Sequence, residues 1–228
     1  MRKTTRTYET RGYWIQENLQ YAEPNFRLRK CARLVNELTQ GKTCDLLDVG
    51  CGPAALRGLL GSNVRYHGID LAIQSPEPYL READFLKNPI AYQAKRFDIV
   101  VALGVFEYMG LHQFRKFSEI SKLLNPGGRF LMSYINFGHF RRKIYPAYNN
   151  IQSITDMIQN LGEVFYLEKV FPVSHHWRHK QPGKNAIPAI QMRLDINIPG
   201  VSPWLAVEYF FLCAASLPPQ RSMSSTEN

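Results

Sequence analysis

The sequence predicts an α/β fold, a mostly parallel sheet with helices on both faces. Two observations carry this expectation. Short apolar runs recur at strand length, at residues 45–49, 64–70, 97–103 and 129–135, and their composition is that of strands buried on both sides. Segments with helical spacing alternate with them, and such alternation builds parallel sheets. Ligands of these sheets sit beyond the carboxyl ends of the strands, beside the first one. Those ends carry Gly50 and Gly52, Asp70, Asp84 and Gly104.

The totals suit one decorated domain. The chain has 228 residues and 26.3 kDa, with 45% hydrophobic and 21% charged residues. Cys31, Cys44, Cys51 and Cys213 show neither metal-ligand spacing nor the density of a disulfide framework, so reduced thiols and a cytoplasmic setting are expected. The basic start has no apolar run behind it, and the most apolar stretch, 205–217, is too short to span a bilayer and contains Glu208. A net charge of +9 is concentrated in residues 1–33 and 136–184, while the remainder balances to zero.

In chain order, residues 1–22 are polar and aromatic with weak periodicity. A helix follows Pro24, with Leu28, Cys31, Val35 and Leu38 on one face and Gly41 as its stop. The first strand, 45–49, turns through Gly50 and Gly52 into a short helix over 54–60. The second strand, 64–70, ends in Asp70. Pro76 and Pro78 oppose a helix between Asp70 and Arg81, and residues 82–86 make a short third strand or its end. The fourth strand, 97–103, precedes Gly104 and a helix face of Phe114, Phe117, Ile120 and Leu124. A turn at 125–128 then leads into the fifth strand, 129–135. A basic, aromatic loop (136–150) and a helix near 152–161 lead to a sixth strand (163–173) and a seventh (205–215). About thirty residues rich in His, Pro and Lys separate those two strands, and 217–228 read as a disordered tail.

The ordered set of Asp48, Gly50 and Gly52, then Asp70, then Ala83 and Asp84, then the run 97–104, then Leu124 to Phe130 resembles the class I S-adenosylmethionine-dependent methyltransferases, here of the small-molecule type. The resemblance implies a Rossmann-like sheet of seven strands with the last antiparallel, a core over 37–216, an N-terminal lid and first helix over 1–36, and a substrate-cap insertion over 174–204. It also implies roles. Asp48, Gly50, Cys51 and Gly52 would pack against the methionine end of the cofactor, and Asp70 with Leu71 would hold the ribose. Asp84 and Phe85 would meet the adenine, Leu103 and Gly104 would line the channel near the sulfonium, and Tyr13 and Trp14 would close over the top. The product would be S-adenosylhomocysteine. Two departures stand out: Ala54 replaces a third glycine, and the shortened 70–84 segment opens the adenine side.

Methyl transfer needs positioning and desolvation first, and a general base only for some acceptors. Glu107, His112 and His139 are the candidates at the expected mouth. His175, His176 and His179 lack acidic or cysteine partners nearby, so no metal is expected. Arg141, Arg142, Trp177 and Arg178 would make a basic, aromatic rim that attracts an acidic small-molecule acceptor, or merely a soluble one. The leading expectation is methylation of an oxygen or nitrogen on such a molecule in specialised or envelope metabolism. An RNA methyltransferase, suggested by the charge, and a catalytically silent cofactor-binding subunit remain open. A nicotinamide-type turn would show a fuller Gly-x-Gly-x-x-Gly spacing than the one here.

Overall fold

The structure, a computed structural model, describes residues 11–18, 22–90, 92, 95–139, 148–176, 191–192 and 198–215. Five helices are described: α1 (Arg11–Asn18), α2 (Phe26–Thr39), α3 (Gln113–Leu123), α4 (Ile154–Gly162) and the single turn α5 (Ser202–Leu205). The strands are β1 (Cys44–Val49), β2 (Val64–Asp70), β3 (Leu80–Glu82), β4 (Phe97–Leu103), β5 (Leu124–Ile135), β6 (Phe165–His176), β7 (Gln191–Met192) and β8 (Ala206–Ala215). They form one sheet in the order β3-β2-β1-β4-β5-β8-β6-β7. Strands β1 to β5 pair in parallel, and β8 lies antiparallel between β5 and β6. The seven expected strands are all present, with the last antiparallel. The two-residue β7, paired antiparallel to the end of β6, is an addition.

Strand periodicity sends neighbouring residues to opposite faces. Along β4, Phe97, Val100 and Ala102 join the core beneath α3 and α4, where Phe117, Ile120, Met157 and Leu161 pack. Ile99, Val101 and Leu103 join the other core, against Cys31, Ala32 and Val35 of α2. Two apolar faces in one strand explain why its run reads as continuously hydrophobic. Helix α2 starts where the Asn25 side chain accepts from Leu28 N at 3.0 Å. Ser153 and Asp156 form a reciprocal capping box that starts α4.

Four local expectations change. Residues 11–18 are helical despite their weak periodicity. The segment after the glycine turn makes only a 3-10 turn, Arg57–Leu59. Ala54 there has φ +57° and donates to Cys51 O in a turn, which is incompatible with a helix starting at that residue. β3 lies at Leu80–Glu82 rather than 82–86, because it pairs Gly68 with Leu80 and Asp70 with Glu82. The 125–128 turn lies inside β5, as an irregularity between the Phe97–Leu124 and Ile99–Arg129 pairs.

Strand order reverses at β1, which lies between β2 and β4. The crevice beyond its carboxyl end is therefore where the fold offers a ligand site.

Candidate active site

A cleft of about 190 Å³ opens at that position. Its β1–β2 side is built from backbone. Gly50 has φ +75°, and its N–H and that of Cys51 donate to Ile69 O at 2.8 and 3.2 Å. A Cβ on Gly50 would stand 2.5 Å from Val105 Cγ2, so glycine is required by both conformation and space. Asp70, 8% exposed, accepts from Gly52 N at 2.8 Å through Oδ2 and from Ala72 N at 2.9 Å through Oδ1. One carboxylate thus ties the glycine turn to the loop after β2.

Asp48 lies beneath the turn and accepts from Tyr66 OH at 2.7 Å. Burial raises its carboxyl to about 7, with Asp70 adding to the rise and the Tyr66 hydrogen bond opposing it. Asp84 accepts from Lys87 N at 3.2 Å and pairs with its ammonium at 3.4 Å, beside buried Phe85.

The β4–β5 side differs. Gly104, at φ +70°, donates to Ser133 Oγ at 2.9 Å, and a Cβ there would meet Arg27 Nη1 at 2.5 Å. Arg27 reaches across from α2 to pair with Glu208 of β8 at 3.0 Å. Glu107 is fully buried; its Oε1 accepts from Ile135 N at 3.1 Å, while Oε2 has no hydrogen-bond partner among the described residues. The Glu107 carbonyl also anchors the returning loop by accepting from Asn149 N and Asn150 N, both at 3.1 Å. Burial, reinforced by the negative charge of Glu208, raises the Glu107 carboxyl to about 7. Over this side, Trp14 meets Tyr108 edge-on at 5.2 Å, and Tyr108 leans on Tyr148 at 5.6 Å.

Asp48, Gly50, Cys51, Gly52, Asp70, Leu71, Asp84, Phe85, Leu103, Gly104, Trp14 and Glu107 all line this one cleft. Tyr13 lies behind Trp14, edge-on at 5.1 Å, and is not in the lining. His112 and His139 do not line it either. His112 is exposed where a 3-10 turn leads into α3, and His139 is buried in the turn that follows β5, donating its N–H to Asn136 O. Arg141, Arg142, Trp177 and Arg178 lie outside the described residues. Among the described residues, no group of three His, Cys, Asp or Glu is placed to hold a metal, and no helix is long and apolar enough to cross a membrane.

Sequence reasoning missed Asn25, Arg27, Tyr108, Ile135 and Tyr148, which also line the cleft. The signal for Arg27 was slight: a charged residue in the first turn of α2, whose partner Glu208 interrupts an otherwise apolar strand.

The glycine turn, the acidic Asp70 and the apolar walls at Leu71, Phe85 and Leu103 fit a nucleoside joined to an amino-acid chain. Residues 21–175 match a family model described as a methyltransferase domain. No curated protein matches the sequence. Similar solved structures include the N-methyltransferase NodS from Bradyrhizobium japonicum WM9, at 15% identity over 83% of this chain and 96% of that one, with a TM-score of 0.52. An S-adenosylmethionine-dependent methyltransferase from Clostridium acetobutylicum is 11% identical over 89% of this chain and 97% of its own, with a TM-score of 0.60. One from Aquifex aeolicus is 11% identical over 88% and 98%, at 0.58. At these identities the structures speak for the fold, and the family match covers well over half of the chain. The protein belongs to the methyltransferase-domain family and is a class I S-adenosylmethionine-dependent methyltransferase.

Proposed function

We propose that the protein moves the methyl group of S-adenosylmethionine onto an oxygen or nitrogen of a small acceptor bearing an acidic group, in the specialised or envelope metabolism of the cytoplasm. The observation that carries this reading is the union, in one cleft, of a clamped glycine turn and a buried carboxylate at its other end. The bound cofactor supplies a methyl group already activated on a sulfonium. In this reading Gly50, Cys51 and Gly52 shape the seat of its methionine end, with Asp48 beneath, and Asp70 with Leu71 takes the ribose hydroxyls. Asp84 and Phe85 take the adenine, and Leu103 and Gly104 border the reacting atoms.

Glu107 is the candidate base, since it alone of the three residues considered lines the cleft. Residues 1–36 act as a lid through Trp14, residues 37–216 form the core, and 174–204 cap the acceptor. Arg141, Arg142, Trp177 and Arg178 supply the acidic group's rim, and the free, buried cysteines suit a reducing compartment. The test is methyl transfer from labelled cofactor into small-molecule and RNA fractions of the source cells. Label confined to small anionic compounds supports the reading. Label in RNA overturns the acceptor class, and cofactor binding without any transfer favours a silent subunit.

A further inference from the structure

We infer that the acceptor presents an amine to the cleft, and that Glu107 Oε2, together with the ring wall of Trp14, Tyr108 and Tyr148, is the site that receives it. This rests on the methyl-transfer reading above and narrows its choice of oxygen or nitrogen to nitrogen.

The argument starts from the accounting of charged groups. Among the described residues, the cleft is lined by Asp48, Asp70, Asp84 and Glu107, with Arg27 as its one arginine, and that arginine is paired with Glu208. Asp48 is held by Tyr66, Asp70 by two backbone amides and Asp84 by Lys87. Glu107 stands apart from them, on the β4–β5 side. Its Oε1 is used by Ile135 N, and its buried Oε2 has no partner among the described residues. A buried carboxylate oxygen left unpaired is costly, so the site is completed when a donor arrives.

Chemistry selects the donor. An oxyanion brought to Oε2 would meet the buried Glu107 carboxylate and be repelled, whereas a cation would be drawn to it. A hydroxyl would satisfy Oε2 but gain nothing from the rings. An ammonium gains from both, because aromatic faces attract cations within about 6 Å. Tyr108 touches both Trp14 and Tyr148, it directly follows Glu107 in the chain, and all four residues line the cleft.

The reaction then balances simply. An ammonium N–H gives its proton to Glu107 Oε2, which frees the nitrogen lone pair. That pair forms the N–C bond as the C–S bond breaks, and the bonding electrons remain on sulfur as a neutral thioether. Glu107 returns its proton to solvent, so one proton is released per methyl transferred. Burial and Glu208 keep the carboxyl near 7, where both giving and taking a proton are accessible.

The test uses the full chain with tritium-labelled S-adenosylmethionine and the metabolite extract of its source cells, with the labelled product analysed chemically. Label on a base-stable, cation-exchangeable N-methyl group supports the inference. Label on an ether, an ester or carbon overturns it and leaves methyl transfer standing. No labelled product, with S-adenosylhomocysteine still bound, overturns methyl transfer itself. Glu107→Gln should lower kcat on the labelled acceptor by about 100-fold or more and remove the acidic limb of the pH profile near 7. Its S-adenosylhomocysteine affinity should stay within twofold; a tenfold loss would put Oε2 on the methyl donor and overturn the assignment. Tyr108→Leu should raise KM for the amine severalfold with little change in kcat, and an unchanged KM removes the ring wall from the site.

Discussion

The two sides of the cleft are built on opposite plans. On the β1–β2 side the polar groups are tied before a ligand arrives: Asp70 holds two loop amides, Asp48 is held by Tyr66, and Gly50 and Cys51 are fixed to Ile69 O. On the β4–β5 side a carboxylate oxygen is left buried without a partner among the described residues, next to rings contributed by three separate segments. In the proposed reading the first side is the donor side, and it is preorganised, so little ordering remains to oppose cofactor binding. The second, the acceptor side in that reading, would be completed by the incoming acceptor.

Breaking the donor side should give the largest effect. Asp70→Ala removes two charge-assisted hydrogen bonds within the protein and the proposed ribose contacts. At about 1.5–3 kcal/mol for each bond to a charged group, S-adenosylhomocysteine should bind about 100-fold more weakly by calorimetry. Unchanged affinity in a folded variant would show that the tie is not needed. Gly50→Ala forces a side chain into left-handed backbone and against Val105, which should cost about 2–3 kcal/mol of stability in a denaturant melt. A cost below about 0.5 kcal/mol would mean that the turn yields easily.

Glu107→Gln tests the acceptor side through stability alone. Glu107 holds its proton to higher pH in the folded chain than in the unfolded one, about 7 against 4.5. The folded state therefore binds more protons between those values, and this residue's contribution to stability falls as pH rises. The variant lacks that slope, so it should gain on the parent by about 2 kcal/mol between pH 5 and pH 8. A pH-independent difference would show that Glu107 titrates normally. Ala54→Gly should have the smallest effect. It relieves the φ of +57° but loosens the unfolded chain, for a net gain of about 0.5 kcal/mol. A loss of stability would mean that the alanine methyl contributes contacts worth more than the strain.

The same division governs what the sequence revealed. The donor side is local in sequence: the turn follows its strand directly, and the strands are apolar because both faces are buried, as the alternation of Phe97, Ile99 and Val100 between the two cores shows. The acceptor side is assembled over distance. Arg27 meets Glu208 from 181 residues away, and Trp14 reaches Tyr108 from a helix whose apolar spacing is weak. His112 was a candidate at the mouth beside the better-placed Glu107, yet it lies exposed where the chain leads into α3. The register that moved β3 to Leu80–Glu82 was equally invisible, since it is set by pairing with β2. The short helix expected at 54–60 failed for a local reason, the left-handed Ala54, which a sequence reading assigns only to glycine by habit.

The central claim, that the β1–β2 side is a preformed seat for the methyl donor, is tested most directly by a thermal melt of the unmodified protein with S-adenosylhomocysteine. At about one hundred times its dissociation constant the ligand should add about 2.7 kcal/mol, which for a chain of this size raises Tm by roughly 5–10 °C. No shift, together with no heat of binding in calorimetry, would contradict the account.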